Sequence, residues 1–346
     1  MLHELSKSSP PRLSVVVPVY KVAEYLPQCL ECILNQTWRD MEVICVNDGS
    51  PDHSLDILKT FQQKDSRIVI VDQLNGGSAS ARNAGVDIAR GQWIGFVDAD
   101  DQISPDMYQM MLEVADHDQS DLVVCGTVVI GGKPIDGDIV QTSACYDYSP
   151  ILLNRITYSV WDKIFKRDIL LNNGIKAFEG RAFEDAPVDL MYLPLCKKIS
   201  VVATPLYHYI KRDNSNTGGI CIAQYMDRIE QFGMVVSRWK ELDIYEEQKS
   251  VIPDILWRQI IDTVPTIPVK KHKHFLQYID GMLGLLASNQ KGEIDKKLLD
   301  ELNNTFVKAR ILTQRDASKK WKRYLFRFRL SSPACIQILG LRLFGK

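Results

Sequence analysis

Four short apolar runs, each ending in polar, acidic or glycine residues, divide the first hundred residues of the chain. They occupy residues 13–20, 41–46, 67–72 and 93–97. Helices are predicted between them, at about residues 23–36, 51–64 and 79–89. Short apolar runs bounded by turn residues are typical of strands buried on both faces. Strands that alternate with helices at this spacing predict an α/β domain with βαβ units and a mostly parallel sheet.

The residues at the carboxyl ends of these runs are the candidate binding residues, because open parallel sheets bind ligands outside the carboxyl ends of their strands. They include Pro18, Val19, Tyr20, Asp48 and Asn75. This set suits a nucleotide. Asp48 would accept from a base N–H, Tyr20 would cover the base, and Arg82 would meet a phosphate or a base carbonyl. The alternative for Asp48 is a turn residue in an Asp-Gly-Ser turn.

The fourth run ends in three carboxylates, Asp98, Asp100 and Asp101. Because side chains alternate along an extended chain, Asp98 and Asp100 are predicted to point the same way. Two carboxylates on one side of a strand end suit Mg²⁺ or Mn²⁺, the usual partner of a nucleotide diphosphate. The alternative is that these acids cap the next helix, whose start Ser104 and Pro105 would mark.

Four motifs together carry a resemblance to a known family. They are Val17-Pro18-Val19-Tyr20, Val46-Asn47-Asp48-Gly49-Ser50, Ala81-Arg82-Asn83-Ala84-Gly85 and Phe96-Val97-Asp98-Ala99-Asp100-Asp101. In this order and spacing they resemble the family 2 inverting glycosyltransferases, over roughly residues 13–215. The resemblance implies a Rossmann-like catalytic domain of the GT-A fold. It also implies that Asp48 contacts the base, Arg82 the nucleotide, Asp98 the ribose and Asp100 the metal on the diphosphate.

Residues 161–166 and then residues 181–185 resemble the second signature of the family, in which the acidic pair Glu184 and Asp185 opens a helix at the acceptor cleft. Asp185 matches the general base. An inverting transfer is one in-line displacement, so a carboxylate must take the proton of the acceptor hydroxyl. The alternative for Asp185 is a first-turn acid favoured by the helix dipole. His208, in a run that resembles the family's Tyr-x-Tyr-x-x-Arg, would complete the metal sphere or touch acceptor or phosphate; otherwise it is a hydrogen-bonded structural histidine.

Beyond about residue 217 the pattern becomes helical. We predict a GT-A domain at 1–216, a helical region at 217–314 that shapes the acceptor site or a homo-oligomer, and a tail at 315–346. The tail holds nine Lys or Arg residues against Asp316 alone. It places four apolar side chains, those of Trp321, Tyr324, Leu325 and Phe328, on one helical face. This pattern predicts binding to an anionic membrane surface; the alternative is a tail packed on the protein.

Composition limits the remaining possibilities. The 42 basic and 43 acidic residues balance, so nucleic acid is not an expected partner. Cys29 and Cys32 form the only C-x-x-C, and without a second pair they favour structural burial over a zinc or redox site. No signal peptide or run of about 18 apolar residues is present. We therefore expect a cytoplasmic protein, peripheral on the inner face of the cell membrane.

The resemblance thus implies a metal-dependent transferase that moves a sugar from a nucleotide-sugar donor, expected to be a UDP-sugar, to a lipid-linked or oligosaccharide acceptor in surface polysaccharide synthesis. One alternative is a nucleotidyltransferase that makes the sugar nucleotide. That chemistry needs a glycine-rich phosphate loop after the first strand, and residues 19–22 do not supply one. A second alternative is a non-catalytic module that binds a nucleotide sugar, against which the intact Asp98, Asp100 and Asp185 argue.

Overall fold

A computed structural model describes residues 9–131, 142–211, 222–252 and 254–255. Its strands are β1 Leu13–Val19, β2 Met41–Asp48, β3 Ile68–Gln73, β4 Trp93–Phe96, β5 Gln102–Ile103, β6 Leu122–Ile130, β7 Ala144–Asp147, β8 Lys163–Lys166 and β9 Lys198–Ile210. Its helices are α1 Leu26–Leu34, α2 Ser54–Lys64, α3 Ser78–Ile88, α4 Met107–Asp118, α5 Arg167–Asn172, α6 Asp185–Tyr192, α7 Ile222–Glu241 and α8 Tyr245–Gln248. The predicted alternation of strand and helix is confirmed through α3 and β4.

The described strands form one sheet in the order β3-β2-β1-β4-β8-β6-β9-β5, with β7 paired to β9. Strands β1 to β4 are parallel to their neighbours among the four, whereas β8 runs antiparallel to both β4 and β6. The predicted α/β class and largely parallel sheet are confirmed. Because β2 and β3 lie on one side of β1 and β4 lies on the other, the strand order reverses between β1 and β4, where open sheets bind ligands.

The core lies between this sheet and its helices. Every residue of β2 is buried, as are all residues of β1 except Pro18. Helix α1 buries Leu26, Cys29, Leu30 and Ile33, at the spacing of one helical face. The described cysteines are free thiols, and the burial of Cys29 raises its pKa well above the ordinary value. These observations agree with the structural interpretation of the C-x-x-C pair.

Two element boundaries differ slightly from those predicted. The first strand ends at Val19, within the predicted run of residues 13–20, and it includes Pro18, which pairs with Val46 of β2. The pairing of β1 with β4 stops at Val16 and Phe96, so the missing N–H of Pro18 lies beyond that ladder. Helix α3 begins at Ser78, one residue before its predicted start, and the Ser78 hydroxyl donates to Glu184.

The chain is not extended through the three carboxylates, as the predicted alternation of Asp98 and Asp100 required. The strand ends at Phe96, and the chain then turns, with the Asp101 N–H donating to the Asp98 carbonyl at 2.9 Å. Side-chain alternation therefore does not apply to Asp98 and Asp100. The next helix begins at Met107, just beyond the predicted Ser104-Pro105 start, with Asp106 rather than the carboxylate cluster at its cap position.

The described part of the C-terminal region is helical. The chain divides into two compact units, residues 1–220 with 234–245 and residues 221–233 with 246–346. Within the first unit, buried Trp239 of α7 donates its indole N–H to the Leu190 carbonyl of α6 at 2.8 Å. Residues 256–314 of the predicted helical region and the tail at 315–346 lie outside the described residues. Among those that are described, no helix combines the length and the apolar character needed to cross a bilayer.

Candidate active site

The loops that follow β1 and β2 are tied together at the carboxyl edge of the sheet. The Lys21 N–H donates to Ser50 Oγ at 3.1 Å, and the Ser50 hydroxyl donates to the Val19 carbonyl at 3.3 Å. Tyr20 is 41% exposed at this edge, whereas the Val19 side chain belongs to the core and Pro18 is partly buried. Any contact of Val19 with a donor would therefore come from its main chain.

Asp48 shapes the loop that starts α3. It is 2% exposed, and its Oδ1 accepts from the Gly76 N–H at 2.9 Å while its Oδ2 accepts from the Gly77 N–H at 2.8 Å. Gln73 Nε2 also donates to Oδ1 at 2.8 Å, and Asn75 Nδ2 donates to the Asp48 carbonyl at 3.0 Å. The sequence did not predict that Asp48 would hold the loop of Gly76 and Gly77. The predicted contacts of Asp48 and Asn75 with a nucleotide stay predictions.

Glycine is required at both positions of this loop. Gly77 has a φ of 87°, in the left-handed region that side chains other than glycine rarely adopt. A Cβ on Gly76 would lie 2.6 Å from Ser80 Oγ. The loop therefore runs tightly from the Asp48 carboxylate into α3, which fixes where that helix begins at the edge of the sheet.

Arg82, in the second turn of α3, gathers three carboxylates from two distant parts of the chain. Its Nη2 lies 2.8 Å from Asp98 Oδ1, and its Nη1 lies 2.7 Å from Glu184 Oε1 and 2.9 Å from Asp185 Oδ1. The contact with Asp185 is an ion pair without an aligned hydrogen bond. The Arg82 side chain is only 8% exposed. The structure thus brings the predicted donor residue Asp98 and the predicted acceptor pair to one guanidinium group.

Burial and neighbouring charges shift the pKa values of the residues in this cluster in different directions. Burial alone would lower the pKa of Arg82, but Asp185, Asp98 and Glu184 outweigh it and raise that pKa. Burial alone would raise the pKa of Glu184, but Arg82 and the Ser78 hydroxyl outweigh it and lower that pKa. For Asp185, burial and the charges of Glu184 and Asp98 outweigh Arg82 and raise the pKa to about 7. Such a carboxyl group exchanges its proton near neutral pH, as a general base should.

Asp101, the third carboxylate after β4, is structural. Its Oδ2 accepts from the Tyr207 hydroxyl at 2.8 Å and its Oδ1 from the Ile210 N–H at 2.7 Å. Tyr207 Oη in turn accepts from the Asp98 N–H at 3.2 Å. The residue is 2% exposed, and burial raises its pKa to about 7. Asp101 therefore fastens the turn of Asp98 and Asp100 to β9.

The carboxylate oxygens at this turn are suitable ligands for a hard divalent cation. Within the described ranges, no three His, Cys, Asp or Glu side chains come together as a ready-made metal cage. Mg²⁺ is commonly held by only one or two carboxylates together with substrate phosphates and water, which Asp100 suits. His208 Nε2 lies 3.1 Å from Ser104 Oγ, in line with its structural alternative. A metal at Asp100, with or without His208, stays a prediction.

A second buried charged group is centred on Lys163, to which the sequence pattern assigned no role of its own. Lys163 of β8 is fully buried, with its Nζ 2.6 Å from Asp162 Oδ1 and 3.3 Å from Asp189 Oδ2. Burial would lower the pKa of Lys163, but Asp162 and Asp189 outweigh it and raise that pKa. Burial raises the pKa of Asp189 well above its ordinary value, although the charge of Lys163 opposes this effect. Asp189 lies one helical turn after Asp185.

The sheet and its helices have the GT-A fold. A crystal structure of Staphylococcus aureus TarS, residues 1–349, in complex with UDP-GlcNAc superposes with a TM-score of 0.70 at 18% identity, covering 86% of this chain and 91% of that one. Residues 14–175 match the model of glycosyl transferase family 2. The chain belongs to this family.

Curated relatives agree. Glycosyltransferase GlyG of Streptococcus pneumoniae serotype 4 is 30% identical over 221 residues, 59% of this chain and 72% of that protein. The uncharacterized glycosyltransferase EpsJ of Bacillus subtilis is 33% identical over 217 residues, 60% of this chain. This chain spans 63% of the length of EpsJ.

Proposed function

We propose that the chain is an inverting glycosyltransferase that moves a sugar from a nucleotide donor, a UDP-sugar, to a glycan or lipid-linked acceptor. The observation that carries the proposal is the Arg82 cluster. It joins Asp98, which follows a donor-side strand, to Glu184 and Asp185 from the helix assigned to the acceptor. A donor and an acceptor bound on the two sides of this guanidinium would meet.

In the proposed reaction Asp185 is the general base. The acceptor hydroxyl oxygen attacks C1 of the donor sugar, its proton passes to the Asp185 carboxylate, and the bond from C1 to the diphosphate oxygen breaks. Attack opposite the leaving group inverts C1. Arg82 holds Asp185 through its charge, and Glu184, with its lowered pKa, stays ionised beside it. Asp185 is therefore the member of the pair that can take a proton near neutral pH.

The donor would lie over the loops of Tyr20 and Asp48. A bound Mn²⁺ or Mg²⁺, held through Asp100, would offset the charge that develops on the departing diphosphate. Support comes from a second structural neighbour, a mannosyltransferase of Pyrobaculum calidifontis in complex with GDP-Man and Mn²⁺, which has a TM-score of 0.53 at 15% identity and covers 97% of this chain and 88% of that one. The TarS complex with UDP-GlcNAc supports a uridine nucleotide.

We place the reaction in the synthesis of a bacterial surface polysaccharide. A relative of 31% identity over 221 residues is the poly(ribitol-phosphate) beta-glucosyltransferase of Bacillus spizizenii, and the match covers 59% of this chain and 33% of that protein. Family membership disfavours the alternative of a nucleotidyltransferase. The alternative of a non-catalytic binding module predicts donor binding without turnover, which a turnover assay distinguishes.

The test is release of nucleoside diphosphate from a panel of nucleotide sugars, with Mn²⁺ and with EDTA. We expect release from a UDP-sugar that depends on the metal and is lost in Asp100→Ala. Release that persists in EDTA would remove Asp100 from the metal role. UDP binding without any release would favour the non-catalytic module instead.

We further propose that residues 315–346 hold the enzyme on the inner face of the cell membrane, where a lipid-linked acceptor would be presented. Each Lys or Arg near an anionic surface contributes about 1 kcal/mol, and salt screens this attraction. The full-length chain should sediment with anionic liposomes, less so at high salt, whereas a chain that ends at Gln314 should not. If the two chains sediment equally, the tail packs on the protein or a partner.

A further inference from the structure

The segment between α5 and α6 leads directly into the acid pair but has no regular structure of its own. It runs over residues 173–184, and three of its residues, Gly174, Gly180 and Phe183, have positive φ values of 57°, 69° and 60°. Phe183, directly before Glu184, is not glycine, so this backbone conformation is uncommon for it. Irregular segments of this kind are held by contacts from elsewhere, because they have few hydrogen bonds of their own.

Asn83 supplies the buried anchor of this segment. Its Oδ1 accepts from the Ala177 N–H at 2.9 Å, and its Nδ2 donates to the Ala177 carbonyl at 2.9 Å and to Glu179 Oε1 at 3.1 Å. Asn83 and Ala177 are each 7% exposed. One side chain thus satisfies both backbone groups of a residue 94 positions away. The pairing needs a donor and an acceptor on one side chain, which an amide provides and a carboxylate does not.

The same stretch of α3 holds the segment at two points. Asn83 fixes the backbone at Ala177, and the preceding residue, Arg82, holds Glu184 and Asp185 through their charges. Two further contacts from α3 lie nearer the surface. The Ser78 hydroxyl donates to Glu184, and Lys176 Nζ lies 2.7 Å from Asp87 Oδ2 in an ion pair that is about half exposed and contributes little. Charge attraction alone fixes no unique backbone position. The bidentate pairing at Ala177 does.

We propose that Asn83 is a positioning residue that sets where Glu184 and Asp185 stand relative to a bound donor. The proposal rests on the role proposed above for Asp185. Asn83 has no part in the donor loop, which Asp48 holds through Gly76 and Gly77. Loss of the anchor should therefore leave donor binding intact while the base moves. Misplacement of a catalytic group by about 1 Å costs about 10²-fold in rate.

The test compares Asn83→Asp with the parent chain and with Asp121→Asn as a matched control. Asn83→Asp keeps size and the acceptor but removes the donor, and it places an oxygen against the Ala177 carbonyl. Asp121 likewise accepts from a distant backbone N–H, that of Lys197 at 2.8 Å, but at the amino-terminal end of β6. Two measurements are made: hydrogen exchange of residues 174–185, and kcat and KM for UDP release from UDP-GlcNAc or the panel's best donor with Mn²⁺.

For Asn83→Asp we expect amide exchange in residues 174–185 to accelerate by about tenfold or more, as the loss of a buried hydrogen bond implies. We also expect kcat to fall about 10²-fold with unchanged donor KM and UDP affinity. Asp121→Asn should change none of these.

Unchanged exchange, or a loss of UDP affinity in step with kcat, would overturn the proposal. Asn83→Ala adds no charge and serves if Asn83→Asp does not fold; global unfolding of both variants would contradict a role confined to this segment. If the parent chain releases no nucleotide, the proposed function fails, and hydrogen exchange still decides whether Asn83 anchors the segment.

Discussion

The two halves of the site are built in different ways. In the donor half, Asp48 accepts from the N–H groups of Gly76 and Gly77, which lie 28 and 29 residues further along the chain. In the acid half, Arg82 reaches Glu184 across 102 residues through an ion pair that is also a hydrogen bond. The donor half is a set of neighbouring strand ends, whereas the acid half is a meeting of distant segments.

Because of this difference, we expect mutations in the two halves to have different effects. The carboxylate of Asp48 has its hydrogen bonds supplied by a local loop, so changes there should act on that loop and on what it binds. The acid half confines three carboxylates around one buried guanidinium. Changes there should act on stability, on pH dependence and on turnover. The predictions below test this division.

The largest effect is expected for Arg82→Met. Removing one partner of a buried ion pair destabilises a protein by about 3–5 kcal/mol, because the remaining charges stay buried. We expect a loss of this size in urea unfolding at neutral pH, a smaller loss at acid pH where the carboxylates are protonated, and no turnover. Lys176→Met, at an exposed pair, should cost about 0–1 kcal/mol. Equal costs in the two variants would contradict a charge-held acid half.

The next prediction concerns pH. The pKa of Asp185 rises to about 7 on folding, against about 3.9 in an unfolded chain. The folded state therefore binds an extra proton between these values, so this group's contribution to stability falls as pH rises toward 7.

Catalysis needs the ionised base, so kcat should rise about tenfold per pH unit below 7 and level off above it. Glu184→Gln removes a neighbouring negative charge and should move this limb to lower pH. A flat profile for the parent would contradict the assignment.

A smaller and different effect is expected for Asp48→Asn. Hydrogen bonds to a charged group contribute about 1.5–3 kcal/mol, so UDP affinity should fall by about tenfold or more while kcat at saturating donor is kept. Calorimetry with UDP and Mn²⁺ measures the first and a turnover assay the second. Asp72→Asn, at the exposed end of β3 where Asp72 accepts from Asn47, is the matched control and should leave both unchanged. If Asp48→Asn lowers kcat instead, the two halves are not separable.

The sequence predicted the strands and the edge where their carboxyl ends meet, for a physical reason. The runs that became β1, β2 and β4 are apolar because both faces of these strands are buried, and parallel strands bring their carboxyl ends to one edge. The positions of Asp48 and Arg82 follow from that arrangement.

The alternation argument for Asp98 and Asp100 does not hold, because it considered only the local sequence. The turn there is set by Asp101, whose partners Tyr207 and Ile210 lie 106 and 109 residues away. Lys163 was missed for the same reason, since its partner Asp189 lies on another element. The adjacent Asp162 and Lys163, directly before the apolar Ile164 and Phe165, were the one local signal of a buried ion pair.

The central claim is that Asp185 takes the proton of the acceptor while other residues hold the donor. The measurement is the pair of UDP affinity and turnover in Asp185→Asn, because an amide of nearly the same size cannot accept the proton. We expect unchanged UDP affinity and turnover that is lower by about 10²-fold or more. Turnover within a few-fold of the parent, with UDP binding intact, would contradict it and assign the base to another residue.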